Sequence, residues 1–203
     1  MIKAVFFDYG QVITFAQDPK TVGRIADLAG VEREKFEPVL WALRGEYDRG
    51  AITAHEYYRR ILSAFDLAPD KKIIDKMIDI DFWSWTNINP HTELLMEDIK
   101  RAGYILGILS NMPHDFLGWV RENVSVLSLV QISLFSCEVN LIKPNEAIYQ
   151  KLLSVSGLKG EEIVFFDDKP ENVEAAKALG IKAYIWEDCG IARGELALLG
   201  VKL

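Results

Sequence analysis

The chain has 203 residues, half of them hydrophobic, which is enough for a full core and a small second domain. Its 30 acidic against 23 basic residues leave a net charge of −7, which argues against a nucleic-acid or anionic-membrane surface, since both need clustered positive charge. Cys137 and Cys189 are far apart and match no metal spacing, so two reduced thiols are expected; the first apolar run stops too early for a signal peptide, and none approaches the ~18 residues of a membrane span. A soluble, cytoplasmic protein is the expectation.

The first element is a strand over Ala4–Phe7, a continuous apolar run of the kind buried on both faces in parallel sheets. It runs straight into Asp8, and Gly10, lacking a Cβ, lets the backbone approach a bound group. An aspartate placed there lies at the carboxyl edge of the sheet, where open α/β folds hold their ligands.

Residues 17–85 then show helical periodicity without a convincing strand. Asp18-Pro19 reads as the start of a first helix that stops at Gly30. A second helix is expected over about 32–43. Thr53 opens a third with capping-box spacing to Glu56, and Pro69 starts a fourth. Phe82, Trp83 and Trp85 read as packing where this helical insert rejoins the rest.

From residue 90 strand and helix alternate. Helices are expected over about 91–102, 115–123, 145–155 and 171–179, with strands at 104–109, 131–135, 163–166 and 183–186. Alternation with apolar strands predicts an α/β fold, a doubly wound parallel sheet with a Rossmann-like core and an inserted all-helical cap. The core is expected to span residues 1–15 and 87–203, and the cap residues 16–86.

Polar residues follow several of these strands: Asp8 after the first, Ser110-Asn111 after the second and Asp167-Asp168 after Phe166, with Lys143 in a loop before a helix. A parallel sheet collects all these ends on one side. Each set also has a plain structural reading. Ser110-Asn111 can cap the next helix, Lys143 can be a solvated loop lysine, and the two aspartates can favour a helix N-terminus. A bound cation accounts better for two adjacent carboxylates that repel each other. His55, His91 and His114 have no ligand spacing.

Asp-x-Gly after an apolar strand, Ser-Asn after the second, a Lys-Pro, and Phe-Phe-Asp-Asp followed by Asn172-Val-Glu-Ala-Ala resemble the haloacid-dehalogenase-like hydrolases. The resemblance covers nearly the whole chain and includes the helical insert. It is nearest to small bacterial sugar-phosphate phosphatases of the α-D-glucose-1-phosphate phosphatase type, whose cap turn is similar to Gly45–Gly50.

The resemblance implies a Mg²⁺-dependent phosphomonoester hydrolase acting on a small soluble metabolite, a sugar phosphate, through a phospho-Asp8 intermediate. Asp8 is then the nucleophile and Lys143 the cation that screens the incoming phosphate. Ser110 and the Asn111 amide hold the phosphoryl group. Asp8, Asp168 and the Gly10 carbonyl bind the metal, with Asp167 as second choice for the acidic ligand. Arg44, Glu46, Tyr47 and Arg49, in the expected cap turn, are candidates for reading the rest of the substrate, against the alternative of an exposed charged loop.

Two departures stand out. The family's general acid two residues past the nucleophile is Gly10 here, and its later motif acid is Asn172. General acid–base assistance is worth ~10²–10⁴-fold, so a good leaving group such as an anomeric sugar oxygen is favoured. The alternatives are a non-catalytic phosphate- or protein-binding member of the fold and a haloacid dehalogenase. The first gains nothing from an anion at Asp8, and the second needs no metal at Asp167-Asp168.

Overall fold

The computed structural model describes residues 1–68 and 70–203. Five parallel strands form its sheet in the order β3-β2-β1-β4-β5: β1 (Ala4–Phe7), β2 (Ile105–Ser110), β3 (Ile132–Phe135), β4 (Ile163–Asp167) and β5 (Lys182–Ile185). The apolar run of β1 takes the centre, where water reaches neither face, and all four of its residues are buried. The strand order reverses beside β1, between β2 and β4, which opens a crevice outside the carboxyl ends of these strands.

Successive side chains of a strand point to opposite faces, so the apolar runs build two cores at once. Val5, Phe7, Ile108 and Phe166 pack under α5 (Pro90–Arg101), α6 (His114–Asn123) and α10 (Cys189–Leu198). Ala4, Phe6, Leu109 and Phe165 pack under α8 (Glu146–Ser156) and α9 (Pro170–Ala178). Burying each Phe stabilises the fold by roughly 1.5–3 kcal/mol before entropy is charged against it.

The insert after β1 holds α1 (Thr21–Ala29), α2 (Arg33–Asp48), α3 (Ala54–Ser63) and α4 (Lys71–Ser84), which share a hydrophobic cluster built on Ile25, Phe36, Leu40, Tyr57, Ile61 and Met77. Thr53 accepts a hydrogen bond from the Glu56 amide at the start of α3, and Asp70 caps α4. The expected start at Pro69 lies outside the described residues.

Three expectations are corrected. α1 starts at Thr21, because Asp18 closes a turn onto the Lys20 amide (2.9 Å) instead of capping a helix at Pro19. α2 continues past Leu43 to Asp48, so most of the stretch read as a cap turn is its last turn. A Cβ on Gly45 would lie only 3.3 Å from Ile142 Cδ1, so the glycine is there for close approach to the loop before Lys143, not for a bend. α10, which follows the last expected strand, was not anticipated. Asp188 caps it through the Ile191 amide, while Gly190 and Gly194 dilute its periodicity. The short helix α7 (Ser136–Val139) follows β3.

Candidate active site

β1 and β4 bring Asp8 and Asp167 side by side, and the loop before α8 inserts Lys143 between them. Lys143 Nζ lies 2.9 Å from Asp8 Oδ1, donates to Asp167 Oδ2, and donates to the Leu109 carbonyl at 3.0 Å. The loop is fixed by Asn111, whose side chain accepts from the Lys143 amide (2.8 Å) and donates to its carbonyl (2.9 Å). Reading Lys143 as a solvated loop residue therefore fails, since its side chain is 1% exposed.

Burial pushes the Asp8 carboxyl upward and Asp167 adds to this, against the pull of Lys143 and the Ser110 hydroxyl. Burial works against the Lys143 charge, but Asp8 and Asp167 outweigh it and hold the ammonium above its ordinary pKa. A buried ammonium is thus shared by two carboxylates, an arrangement that leaves both carboxylates unpaired if the ammonium is removed.

The adjacent aspartates differ. Asp167 is fully buried, and its Oδ1 accepts from the Lys169 amide (2.9 Å) and Asn172 Nδ2 (2.8 Å) while Oδ2 takes Lys143. Asp168 faces the cavity and accepts from Gln11 Nε2 at 2.7 Å. Burial, with Asp8 and Asp167 beside it, pushes its carboxyl up to about 7. Oxygens of Asp8, Asp167 and Asp168 all lie within 4.8 Å of one another. Three carboxylates with one ammonium suit a hard divalent cation, and Asp8 and Asp168 are better placed to hold it than Asp167, whose oxygens are taken.

A cavity of about 530 Å³ opens from these residues toward the insert. Asp8, Gly10, Ser110, Asn111, Lys143, Asp168 and Asn172 line its inner end. Its outer wall includes Gln17, Trp41, Arg44, Asp48 and Trp85 from the insert and its junctions, with Met112, Phe116 and Ile142 from the core. No described helix is long and apolar enough to cross a membrane.

The cap-turn candidates scatter. Arg44 reaches the cavity, but its guanidinium is held by Asp48 and Asp81, at 2.7 Å each. Tyr47 is buried against Tyr57, with ring centroids 5.1 Å apart, and does not line the cavity. Glu46 pairs with Arg60 on the outer surface of the insert.

Sequence reasoning missed Gln11, Trp41, Asp48, Asp81 and Lys169, and took Trp85 for packing. Trp85 lies against Gly10 and donates from Nε1 to Asp81 Oδ1 at 3.0 Å. Asp81, on α4 four residues before Trp85, offered the one available signal: a carboxylate among apolar neighbours on a helix expects a partner.

The haloacid dehalogenase-like hydrolase profile matches residues 2–180. Phosphatase MT3486 of Mycobacterium tuberculosis is 25% identical over 213 aligned residues, covering 100% of this chain and 97% of that protein. The solved structure of a HAD family enzyme from Bacteroides thetaiotaomicron, in complex with magnesium and inorganic phosphate, superposes with a TM-score of 0.76 at 22% identity, over 95% of this chain and 99% of that one. A dehalogenase structure gives a TM-score of 0.66 at 20% identity, over 90% and 83%. At such identities the structural likeness is one of fold, whereas the profile spans most of the chain. The chain belongs to the haloacid dehalogenase-like hydrolases.

Proposed function

We propose that this hydrolase is a Mg²⁺-dependent phosphomonoesterase for a small sugar phosphate, of the α-D-glucose-1-phosphate phosphatase type, working through a phospho-Asp8 intermediate. The observation that carries the reading is the meeting of Asp8, Lys143 and Asp168 at the end of the central strand. A dehalogenase needs no metal at such a carboxylate cluster, and a phosphate-binding module gains nothing from an anion facing the phosphate.

Asp8 attacks phosphorus, the ester P–O bond breaks and the leaving oxygen takes a proton from water. A second water then hydrolyses phospho-Asp8 to inorganic phosphate and the free carboxylate. Lys143 screens the approach of two anions, a repulsion on the order of 4 kcal/mol at ~4 Å and an effective dielectric of ~20. Asp167 holds Lys143 in place, and Asn172, in the position of the missing later acid, holds Asp167. The Ser110 hydroxyl and the Asn111 amide position the phosphoryl oxygens. Asp8, Asp168 and the Gly10 carbonyl would hold the metal, with Gln11 orienting Asp168. Magnesium, when bound, supplies positive charge at the phosphoryl oxygens. The helices of residues 16–86 act as a cap that keeps bulk water from the core of 1–15 and 87–203.

Position 10 offers no acid, and the indole beside it has no proton to give at neutral pH. A leaving oxygen that departs with little protonation is therefore favoured, which suits an anomeric oxygen. The magnesium and phosphate in the related Bacteroides enzyme and the phosphatase name of the mycobacterial relative agree with this reading, and a cytoplasmic location fits the two free thiols.

Phosphate release from a metabolite panel, with Mg²⁺, with EDTA and in Asp8→Asn, tests it. Turnover that needs Mg²⁺, disappears in Asp8→Asn and favours sugar 1-phosphates over sugar 6-phosphates is expected. A folded protein that releases chloride from 2-haloacids but no phosphate would overturn the reading.

A further inference from the structure

The cap-side wall of the cavity carries one cation, Arg44, whose charge is matched by Asp48 on the wall and by Asp81 behind it. Arg44 Nε donates to Asp48 Oδ1 and Nη1 to Asp81 Oδ2, both at 2.7 Å. The guanidinium also lies 5.2 Å from the Tyr47 ring centroid and 5.8 Å from that of Tyr57. All three charged side chains are largely sequestered, with exposures of 13%, 14% and 11% for Arg44, Asp48 and Asp81. One cation faces two carboxylates, and the unit is negative overall.

A second cation at this wall, Lys169, acts on Asp48 but is itself met by a third carboxylate. Lys169 sits at the rim over the Trp41 ring, 5.9 Å from its centroid, and Glu171 lines the cavity beside it. The remaining cap-side surface is neutral: the Trp41 and Trp85 indoles and Gln17, which gives its amide nitrogen to Ser84 Oγ (2.6 Å). Asp81 also fixes this surface, because its second oxygen holds the Trp85 indole. A phosphate at Asp8 and Lys143 would thus point its organic part at aromatic faces and a net-negative ion cluster. Such a wall accepts a neutral group by packing and repels a second anion.

We propose that the Asp48–Arg44–Asp81 cluster is a specificity element that selects phosphomonoesters with an uncharged organic part and rejects those carrying a second anion. This rests on the phosphatase reading above and narrows it. Arg44 is here a structural counter-ion to two carboxylates, and those carboxylates set the selection.

The test uses two esters of the same size, glycerol 3-phosphate and 3-phosphoglycerate, which differ by a carboxylate in place of a hydroxymethyl group. Each is measured as a substrate with Mg²⁺ and as a competitive inhibitor of p-nitrophenyl phosphate hydrolysis. The wild type is expected to favour glycerol 3-phosphate at least tenfold in kcat/KM or in inhibition constant. Asp48→Asn and Asp81→Asn, each freeing part of the Arg44 charge, should narrow that ratio through KM, while Arg44→Met should widen it. A wild-type ratio near one, or in favour of 3-phosphoglycerate, overturns the proposal and leaves the phosphatase reading standing. So does an unchanged ratio in an Asn variant that keeps the wild-type circular dichroism. If no phosphate ester is hydrolysed by the folded protein, the phosphatase reading falls, and calorimetric binding of the same two esters still decides the ratio.

Discussion

A Cβ built on Gly10 would lie 3.0 Å from Cζ3 of Trp85, so the space beside the residue two past Asp8 is filled by an indole arriving from the end of α4. The indole is not free to retreat, because Nε1 is bonded to Asp81. Gly10→Ala should therefore cost about 1–3 kcal/mol, as overpacking does in a settled core. Trp85→Ala leaves a gap of its own, yet in that background Gly10→Ala should cost almost nothing. Urea denaturation of the four proteins in this cycle measures the coupling, and additive costs would refute the contact.

Lys143→Met should be among the most damaging single changes. It leaves Asp8 and Asp167 facing one another in a buried site, at a cost of about 3–5 kcal/mol. Lys143→Arg should not restore the wild-type midpoint, since a planar guanidinium does not fit a slot shaped for one small ammonium shared by two carboxylates and a carbonyl. Denaturation midpoints at neutral pH decide both points.

Asp167 and Asp168 should separate by metal response. Magnesium that binds only the folded protein stabilises it by about 2.7 kcal/mol at a hundred times its dissociation constant. Asp168→Asn should erase this thermal shift while leaving the metal-free melting temperature unchanged or higher, because one repelling charge is gone. Asp167→Asn should instead lower the metal-free melting temperature, since Lys143 and Asn172 depend on it. Melting curves with and without Mg²⁺ show which carboxylate answers to the ion.

On the insert, Glu56 accepts from Arg59 and Arg60 at 2.7 Å, and these bonds hold its carboxyl down at about 2. A folded-state pKa below the unfolded ~4.3 means that the stabilisation is complete above that value and is lost as the pH falls toward 2. Glu56→Gln should melt below the wild type at pH 7, with the difference vanishing near pH 2. A gap that stays constant across this range would show that the ion pairs contribute nothing.

The inner half of the site was legible because the sheet does the sorting. Asp8, Ser110, Asn111, Asp167 and Asp168 each follow an apolar run directly, and a parallel sheet gathers such ends without further instruction. Asn172 was legible only as the residue standing in place of the family's later acid, and its bond to Asp167 emerges only once α9 is in place. The outer half was not legible. Arg44, Asp48 and Asp81 come from two helices and acquire meaning through their mutual ion pairs, which no local pattern encodes. Gly45 misled in a similar way: glycine usually signals a bend, but here it serves close packing against Ile142 inside a helix. The last helix escaped notice because its two glycines weaken the apolar rhythm, although Asp188 marks its start.

The two passages between sheet and insert run side by side. Thr14 and Ile88 form an antiparallel bridge, with the Phe15 amide donating to the Asn87 carbonyl (2.8 Å) and the Asn89 amide to the Ile13 carbonyl (2.9 Å). The excursion from 15 to 87 therefore begins and ends at one spot, and the order of the five strands owes nothing to what lies between. The excursion is nonetheless tied to the strand ends beneath it, by Trp85 against Gly10 and by Gly45 against Ile142. The cavity wall is accordingly shared, with Gln17, Trp41, Arg44 and Asp48 supplied by the excursion and Met112, Phe116 and Ile142 by the strand-bearing part.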